Sequence, residues 1–407
     1  MKFLTPVVAG STTIPTFLGS FDTTSHVFSS ETQNFVNTLS KRLLAQQHSQ
    51  FAPDLTALGF WCRQSNIDAL KKAFESRVAA SQFIRPAGIV FQVAPGNVEA
   101  LFLYTGLLAL LLGNTMVTRV SSKKSALFDE LLIIINSVLD QPEHLSVAKR
   151  FFIIDMEHSD PGFTELSKVC DLRILWGADD TVYQLRQTPL SAHAKELTFA
   201  GKTSLALISG NGLNQIKREN SEEYARILEC FYRDAFTFNQ QACASTRVVV
   251  WLGQIDEGFL QTFWQDLEVY VQHRNHGAYA SSAMLRLTGA QSLAAAGVEI
   301  MEVKELSSFT VLKVSRLGVE IHDHHFGHGL FVEQKVATLE ALTSVLDSKY
   351  QSLTYIGISK EEIAEWLGLS GGCGLSRVVP VGQSLTFETV WDGYDLMAEM
   401  TRQVTVR

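Results

Sequence analysis

Cysteine is scarce in this sequence and carries no organised pattern. The five cysteines, Cys62, Cys170, Cys230, Cys243 and Cys373, are widely spaced, odd in number and form no CxxC pair. That spacing signals neither a disulfide framework nor a zinc site, and a reducing, cytoplasmic location is expected. A long basic stripe is also missing. Lys123-Lys124 and Lys149-Arg150 are short clusters in a chain of net charge −8, so a small molecule or a protein is expected as partner, not nucleic acid. No apolar run reaches the roughly 18 to 20 residues that span a bilayer. The longest, Ala100 to Gly113, reads as a buried helix. The apolar start is interrupted by Pro6 and Pro15, unlike a secretory leader, so secretion is not expected. GxGxxG, GxxxxGK[ST] and HExxH are absent, which removes the usual dinucleotide fingerprint without excluding a dinucleotide.

What is present is a large apolar content with a regular alternation. A chain of 407 residues that is 46% hydrophobic can bury the cores of two or three domains. From about Ile84, "AGIVFQVA" reads as a strand, "PGN" as a turn, and the stretch to Gly113-Asn114 as a helix. "TMVTRVS", "RFFIID" and "LRILWG" then read as strands, with helices at "SALFDELLIIINSVLD" and "PGFTELSKVC". Apolar strands alternating with helices indicate βαβ units and a parallel sheet covered on both faces, a Rossmann-like half. A second α/β half restarts at "GKTSLALIS", with a helix around Ser221 to Phe238. Strands follow at "RVVVWLG", "FTVLKVS" and "GLFVEQKV", and a helix at "TLEALTSVLDS". Helices are also expected at Thr32 to Gln47 and Ser65 to Ala79, and a glycine-rich loop at Leu367 to Gly382. The expected division is residues 1–200 as one domain and 201–366 as the second. Residues 367–407 would return to the first domain or form an oligomerisation strand, for which the alternating tail "TRQVTVR" is suited.

Four features carry possible chemistry. Cys243, in "FNQQACASTRVVVW", lies at a helix-to-strand junction flanked by Gln240-Gln241 and Ser245-Thr246. An inert core thiol is the commoner state of a free cysteine, but polar neighbours at such a junction also suit a nucleophile. Asn97 reads as an N-cap or as an amide offered to a ligand at the carboxyl end of a strand. "HDHHFGHG", His322 to Gly329, is read as an exposed loop before a strand, not a metal site, because Gly327 and Gly329 oppose the helix that would align His324 with His328. Ser370 in "GLSGG" fits GxSxG but follows a helix-like segment, so the nucleophile-elbow context is lacking.

Taken in order, "VAPGNVEALFLYTGLLALLLGNTMVTRVSSKKS", "ILWGADDTVYQLR", "FAGKTSLALIS", "FNQQACASTRVVVW", "FGHGLFVEQ" and the closing "RVVPVGQSLTFETVWDGYDL" look like one family. Over residues 85 to 407 the chain resembles the acyl-CoA reductase component of the bacterial luciferase fatty-acid reductase complex, a branch of the aldehyde dehydrogenase superfamily. The resemblance implies an aldehyde dehydrogenase-like α/β fold, with a Rossmann-type cofactor domain and an α/β catalytic domain. It implies that Cys243 attacks a thioester carbonyl and holds the acyl group, and that the Asn97 amide and the Cys243 N–H form the oxyanion hole. Trp176 and Gly177 would approach the cofactor pyrophosphate, and Arg119, which replaces the usual lysine, the adenosine ribose. Phe326 and Gly327 keep part of the superfamily's EIFGPV motif, where a glutamate contacts the nicotinamide ribose; His324 stands at that glutamate position.

Alignment of "TFAGKT" with the superfamily's "ELGGKS" puts Thr198 where hydrolytic members carry the water-activating glutamate. Its absence favours thiol exchange and hydride transfer over release of an acid. Glu196, two residues away on the same strand face, could substitute. "TRVSSKKS" contains Arg119, Ser121, Ser122, Lys123 and Lys124 and no acid, which suits a ribose 2′-phosphate and therefore NADPH. The expected activity is NADPH-dependent reduction of an acyl thioester, a fatty acyl-CoA by the resemblance, to the aldehyde. The alternatives are an NAD(P)+-dependent aldehyde dehydrogenase and a non-catalytic scaffold subunit. Acyl-CoA or another acyl thioester, an acyl-transferase or acyl-activating protein, and further copies of the chain are the expected partners.

Overall fold

The computed structural model describes residues 2–6, 25–78, 82–95, 101–120, 124–157, 159–274, 279–370 and 374–406. The expectations placed on Asn97, Ser121, Ser122 and Lys123 fall outside them. The chain divides into two compact units, Met1–Ala200 with Tyr394–Arg407, and Gly201–Gly393.

In the first unit the strands are β1 (Lys2–Thr5), β2 (Gln82–Pro86), β3 (Ile89–Val93), β4 (Thr115–Val120), β5 (Phe151–Asp155), β6 (Leu172–Trp176) and β7 (Lys195–Phe199). Six of them form a sheet in the order β1-β5-β4-β3-β6-β7, in which β1 is antiparallel to β5 and the other pairs are parallel. The progression β3, β4, β5 runs one way from β3 and β6, β7 the other. This is a doubly wound sheet whose switch point lies between β3 and β6. The expected helix at "ALFLYTGLLALLLG" is Leu101–Leu111, and its residues Leu107 to Leu111 are fully buried. Such a helix is apolar all round because it has no solvent face. Strand β2 stands apart from the sheet and pairs antiparallel with the closing strand Thr401–Thr405, from Thr401 opposite Pro86 to Thr405 opposite Gln82. The tail "TRQVTVR" therefore pairs within its own chain.

The second unit contains β8 (Thr203–Ser209), β9 (Thr246–Leu252), β10 (Ile300–Glu305), β11 (Thr310–Val314), β12 (Leu330–Val336), β13 (Tyr350–Ile356) and β14 (Arg377–Pro380), in the order β10-β11-β12-β9-β8-β13-β14. All neighbours are parallel except β10 with β11. Strand alternation feeds two cores. Leu205, Leu207, Val248 and Val250 enter one; Ala206, Ile208, Val249 and Trp251 enter the other. Both faces are covered, which explains the continuous apolar runs. The helix Ser221–Phe236 lays Tyr224, Ile227, Leu228, Phe231 and Ala235 on the second core at helical spacing.

The structure corrects four expectations. The helix expected at "TLEALTSVLDS" extends only over Leu339–Thr343. Leu367 to Gly382 is not a single loop: the helix Lys360–Ser370 enters it, and β14 follows. Because β14 extends the second sheet beside β13, residues 367–393 belong to the second unit and only 394–407 return to the first. The buried Asp234 carboxylate anchors this stretch by accepting the amide hydrogens of Gly382 at 2.5 Å and Ser384 at 3.2 Å. The histidine cluster is not an exposed loop either. His322 and His324 lie on the short helix Glu320–His324, and His325 is buried. His324 meets Ser292 through Nδ1 at 2.9 Å, while His322 lies between the Thr203 hydroxyl at 2.8 Å and Asp347 at 3.0 Å. No helix among the described residues is long and apolar enough to cross a membrane.

Candidate active site

Cys243 sits between the 3-10 turn Thr237–Gln240 and β9. The approach to it is unusual: Phe238, Asn239 and Gln240 all have left-handed backbones, with φ of 55°, 52° and 60°. Each such non-glycine residue costs roughly 1–2 kcal/mol, so other contacts must hold the turn in place. Those contacts come from "FGHG". The His328 N–H donates to the Asn239 carbonyl at 2.9 Å, and the Gly329 N–H to the Gln240 side-chain oxygen at 2.8 Å. The Gln241 amide donates to the Phe326 carbonyl at 2.8 Å. The buried Gln240 amide also donates to the Thr246 carbonyl at 2.9 Å, and the Arg247 guanidinium to the Gln240 carbonyl at 3.0 Å. Gly327, with φ +74°, leaves no room for a side chain, since a Cβ would lie 2.6 Å from the Gln241 amide nitrogen and 3.0 Å from the Asn239 carbonyl. Two motifs distant in sequence thus form one loop pair, and Phe326 acts in it through its backbone.

Residues of β8, β13 and the loop after β14 act on Cys243. Ser204 on β8 donates its hydroxyl to the Cys243 carbonyl at 2.8 Å and accepts the Ser352 N–H at 3.3 Å. The Gln351 side chain on β13 hydrogen-bonds the thiol. Although the residue as a whole is only part-buried, enclosure of the sulfur pushes the Cys243 thiol up to about 12, and the Asp392 carboxylate adds to that shift. Gln351 and Arg247 oppose it. The group is a thiol, not a standing thiolate, in the protein without ligands. Burial and the nearby Arg247 hold His325 neutral, down to about 3. Its Nδ1 accepts the Gly327 N–H at 3.1 Å, which assigns the ring proton to Nε2. Asp392, Gln351, Ser204 and His325 carry no motif of their own, and the approach of Asp392 and Gln351 to the thiol depends on tertiary contacts more than 100 positions apart in sequence.

In the first unit, the switch point brings Ala94 and Gly177 to the carboxyl ends of β3 and β6, where doubly wound sheets bind nucleotides. The Gly177 N–H donates to the Phe199 carbonyl at 3.2 Å. Trp176 is buried and stacked on Phe199 at 4.0 Å, so its side chain forms part of the interior. Arg119, at the end of β4, is 3% exposed and donates through Nε to the Met156 carbonyl at 2.6 Å. The local stretch is free of acids, but acids stand near Arg119 in space. Asp155 ends the adjacent β5 and pairs with Lys124, and Glu157 and Asp155 both act on Arg119. The next strand in space supplies the acids that the local stretch lacks. The sheet edge fits a dinucleotide, but the helix after Gly177 begins with Asp179 and Asp180, whose charges oppose a pyrophosphate at that N-terminus. Glu196 is held by Arg186 at 3.0 Å and by the buried Arg173 at 2.7 Å, so both oxygens already have cationic partners.

Comparison with known proteins identifies relatives at two levels. A family model described as acyl-CoA reductase (LuxC) matches residues 68–403. No curated protein matches the chain. Among solved structures, an NAD-dependent benzaldehyde dehydrogenase from Corynebacterium glutamicum is similar over 100% of this chain and 93% of its own, with a TM-score of 0.66 and 13% identity. The glyceraldehyde-3-phosphate dehydrogenase GapN from Methanocaldococcus jannaschii, solved with NADP, is similar over 98% and 96%, with a TM-score of 0.65 and 13% identity. An NAD-dependent aldehyde dehydrogenase from Sinorhizobium meliloti is similar over 97% and 86%, with a TM-score of 0.69 and 12% identity.

Proposed function

Because the chain belongs to the acyl-CoA reductase (LuxC) family and has an aldehyde dehydrogenase fold, we propose that it reduces an acyl thioester to the aldehyde through an acyl-cysteine at Cys243. The observation that carries this reading is the strained loop that sets the Cys243 thiol against Gln351. Three consecutive left-handed residues persist only where surrounding contacts over-determine them, and such strain concentrates at functional sites. In the proposed reaction the Cys243 sulfur attacks the thioester carbonyl and the thiol of the donor leaves. The Cys243 N–H and the Asn97 amide, assigned by resemblance, stabilise the oxyanion.

A nicotinamide cofactor bound at the carboxyl edge of the first sheet would supply the hydride. Arg119, Ser121 and Ser122 are proposed to hold its ribose end, which favours NADPH. The preference rests on Arg119, because Lys124 is already paired with Asp155. Comparison of kcat/KM for NADPH and NADH in the wild type and in Arg119→Ala tests it. A wild-type preference for NADH would overturn the assignment.

Two features support reduction over hydrolytic oxidation. Thr198 carries no carboxylate, and Glu196 is engaged by Arg173 and Arg186. An acyl-cysteine without a water-activating base is left for hydride or thiol. The decisive experiment incubates the wild type and Cys243→Ala with octanoyl-CoA and searches tryptic peptides for the acyl adduct. Label on the Cys243 peptide, lost in the variant together with aldehyde formation, is expected; label on another residue would refute the reading.

A further inference from the structure

His322 takes no part in the loop pair that holds the Cys243 turn, yet it grips the strand beside the nucleophile. Its side chain is 3% exposed and has a partner on each ring nitrogen: Asp347 meets Nε2 at 3.0 Å, and the Thr203 hydroxyl meets Nδ1 at 2.8 Å. A carboxylate can only accept, so in the neutral ring the proton stands on Nε2 and Nδ1 receives the Thr203 hydroxyl. Both partners are fixed in turn. The Lys349 N–H donates to the other Asp347 oxygen at 2.8 Å, the Thr203 N–H donates to the Lys349 carbonyl at 3.0 Å, and the Tyr350 ring stands nearly perpendicular to the imidazole at 4.8 Å.

Thr203 opens β8, and the next residue, Ser204, donates its hydroxyl to the Cys243 carbonyl. Here β8 is irregular against both of its neighbours. From Ser204 to Leu205 the pairing on β9 advances from Thr246 to Val248, so Arg247 is one residue more than the register needs. From Thr203 to Leu205 the pairing on β13 advances from Tyr350 to Leu353, so Gln351 and Ser352 together stand opposite Ser204 alone. Bulges between parallel strands are rare, and bulges re-aim side chains next to active sites. These two supply Arg247, which donates to the Gln240 carbonyl, Gln351, which hydrogen-bonds the thiol, and Ser352, whose N–H donates to Ser204. The His322 clamp closes on Thr203, immediately before both irregularities.

We propose that His322 is a positioning residue for the acylation step: joined to Asp347 and Thr203, it fixes the start of β8 and, through Ser204 and the two bulges, the orientation of Cys243 towards an incoming carbonyl. This rests on the reading of Cys243 as the nucleophile. The segment "HDHHFGHG" then acts on that residue from two sides. Phe326 to Gly329 hold the turn before Cys243, and His322 holds the strand that bonds its carbonyl. No proton passes through the imidazole, whose contribution is geometric. Misplacement of a reacting atom by about 1 Å can cost about a hundredfold in rate, so loss of the clamp is felt in the chemical step and not in substrate affinity.

Two amide side chains separate the contacts of the ring. Asparagine places its amide where Nδ1 stands and glutamine where Nε2 stands, so His322→Asn keeps the bond to Thr203 and His322→Gln keeps only the bond to Asp347. Acylation by octanoyl-CoA, followed by rapid quench and intact-protein mass spectrometry, should reach a limiting rate about tenfold lower in His322→Gln and in Thr203→Val, at an unchanged half-saturating concentration. The double variant should lose no more than either, because both changes break one bond. His322→Asn should stay near the wild-type rate. Equal loss in the Asn and Gln variants, losses that multiply in the double variant, or a wild-type rate in Thr203→Val would overturn the proposal. Iodoacetamide needs no substrate: a loosened strand relieves the enclosure of the thiol, so Cys243 should be alkylated several-fold faster in His322→Gln and Thr203→Val than in His322→Asn, and equal rates in all three would also overturn it. If the wild type forms no acyl adduct at Cys243, the nucleophile assignment falls and takes this one with it. A wild-type adduct that Thr203→Val leaves intact removes the positioning role alone.

Discussion

Gly327→Ala is the most direct probe of the contact that joins the two loops of the second unit. Two costs add. Placing alanine at φ +74° costs about 1–2 kcal/mol. The new methyl would meet the Gln241 amide nitrogen at 2.6 Å, the Asn239 carbonyl at 3.0 Å and the Gln240 Cβ at 3.1 Å. Gln241 can swing aside only by giving up its bond to the Phe326 carbonyl, about 1 kcal/mol. The Asn239 carbonyl cannot withdraw while it accepts from His328. The expected loss is therefore about 2–3 kcal/mol. Gly253→Ala isolates the first cost, because Gly253 has φ +78° and a methyl there would find nothing within 4 Å. Urea unfolding of both variants should separate them by about 1 kcal/mol, or about 2–4 °C in Tm for a domain of this size. Iodoacetamide labelling of Cys243 should change in Gly327→Ala and not in Gly253→Ala. Equal destabilisation, with Cys243 labelled alike in both, would mean that the loops are not coupled through Gly327.

Other outcomes follow from the same contacts. Alkylation of Cys243 in the protein without ligands should rise about tenfold per pH unit from 7 to 10, because a thiol pushed up to about 12 shows no plateau there; a plateau below pH 9 would contradict the enclosure of the sulfur. Glu196→Ala should cost about 3 kcal/mol in urea unfolding, since it leaves the buried Arg173 without its carboxylate, and a loss under about 1 kcal/mol would show the pair to be dispensable. Asp180→Asn should lower KM for the nicotinamide cofactor if pyrophosphate approaches the helix after Gly177, and an unchanged KM would place it elsewhere. Asp234 and Asp392, both raised to about 6 by burial, hold protons in the folded chain that the unfolded chain releases near pH 4. Stability should thus fall as pH rises from about 4 through 6, and Asp392→Asn should flatten that slope; an unchanged slope would show that Asp392 does not contribute to it.

Much of the strand-and-helix framework is legible in the sequence because the parallel strands are buried on both faces. "TSLALIS" and "RVVVWL" read as strands from apolar runs alone, with glycines and polar residues marking their ends. Short edge elements are not legible. β10 and β14 have few buried residues, and β2 is recognisable only beside its partner at the far end of the chain. The candidate site divides the same way. Cys243 stands out because local polar residues flank it. The influence of Asp392 and Gln351 on the thiol arises only when β13 and the loop after β14 come together with it. The acids beside Arg119 escape sequence reading for a related reason: Asp155 and Glu157 belong to the end of the neighbouring strand, and a charge count along one segment cannot see across a sheet.

The pairing of β2 with Thr401–Thr405 also bears on how the chain matures during synthesis. The first unit is assembled from both ends of the chain, while the second is one uninterrupted stretch. As the polypeptide emerges, residues 1–200 are made first but lack their last strand, and the Ala87 N–H and Asn114 side chain lack the Met400 carbonyl they bond. The second unit can close before the first is finished. A nascent chain stalled before Thr401 would therefore leave β2, made much earlier, without its partner strand, and loss of Thr401–Thr405 would be felt in that earlier-made part.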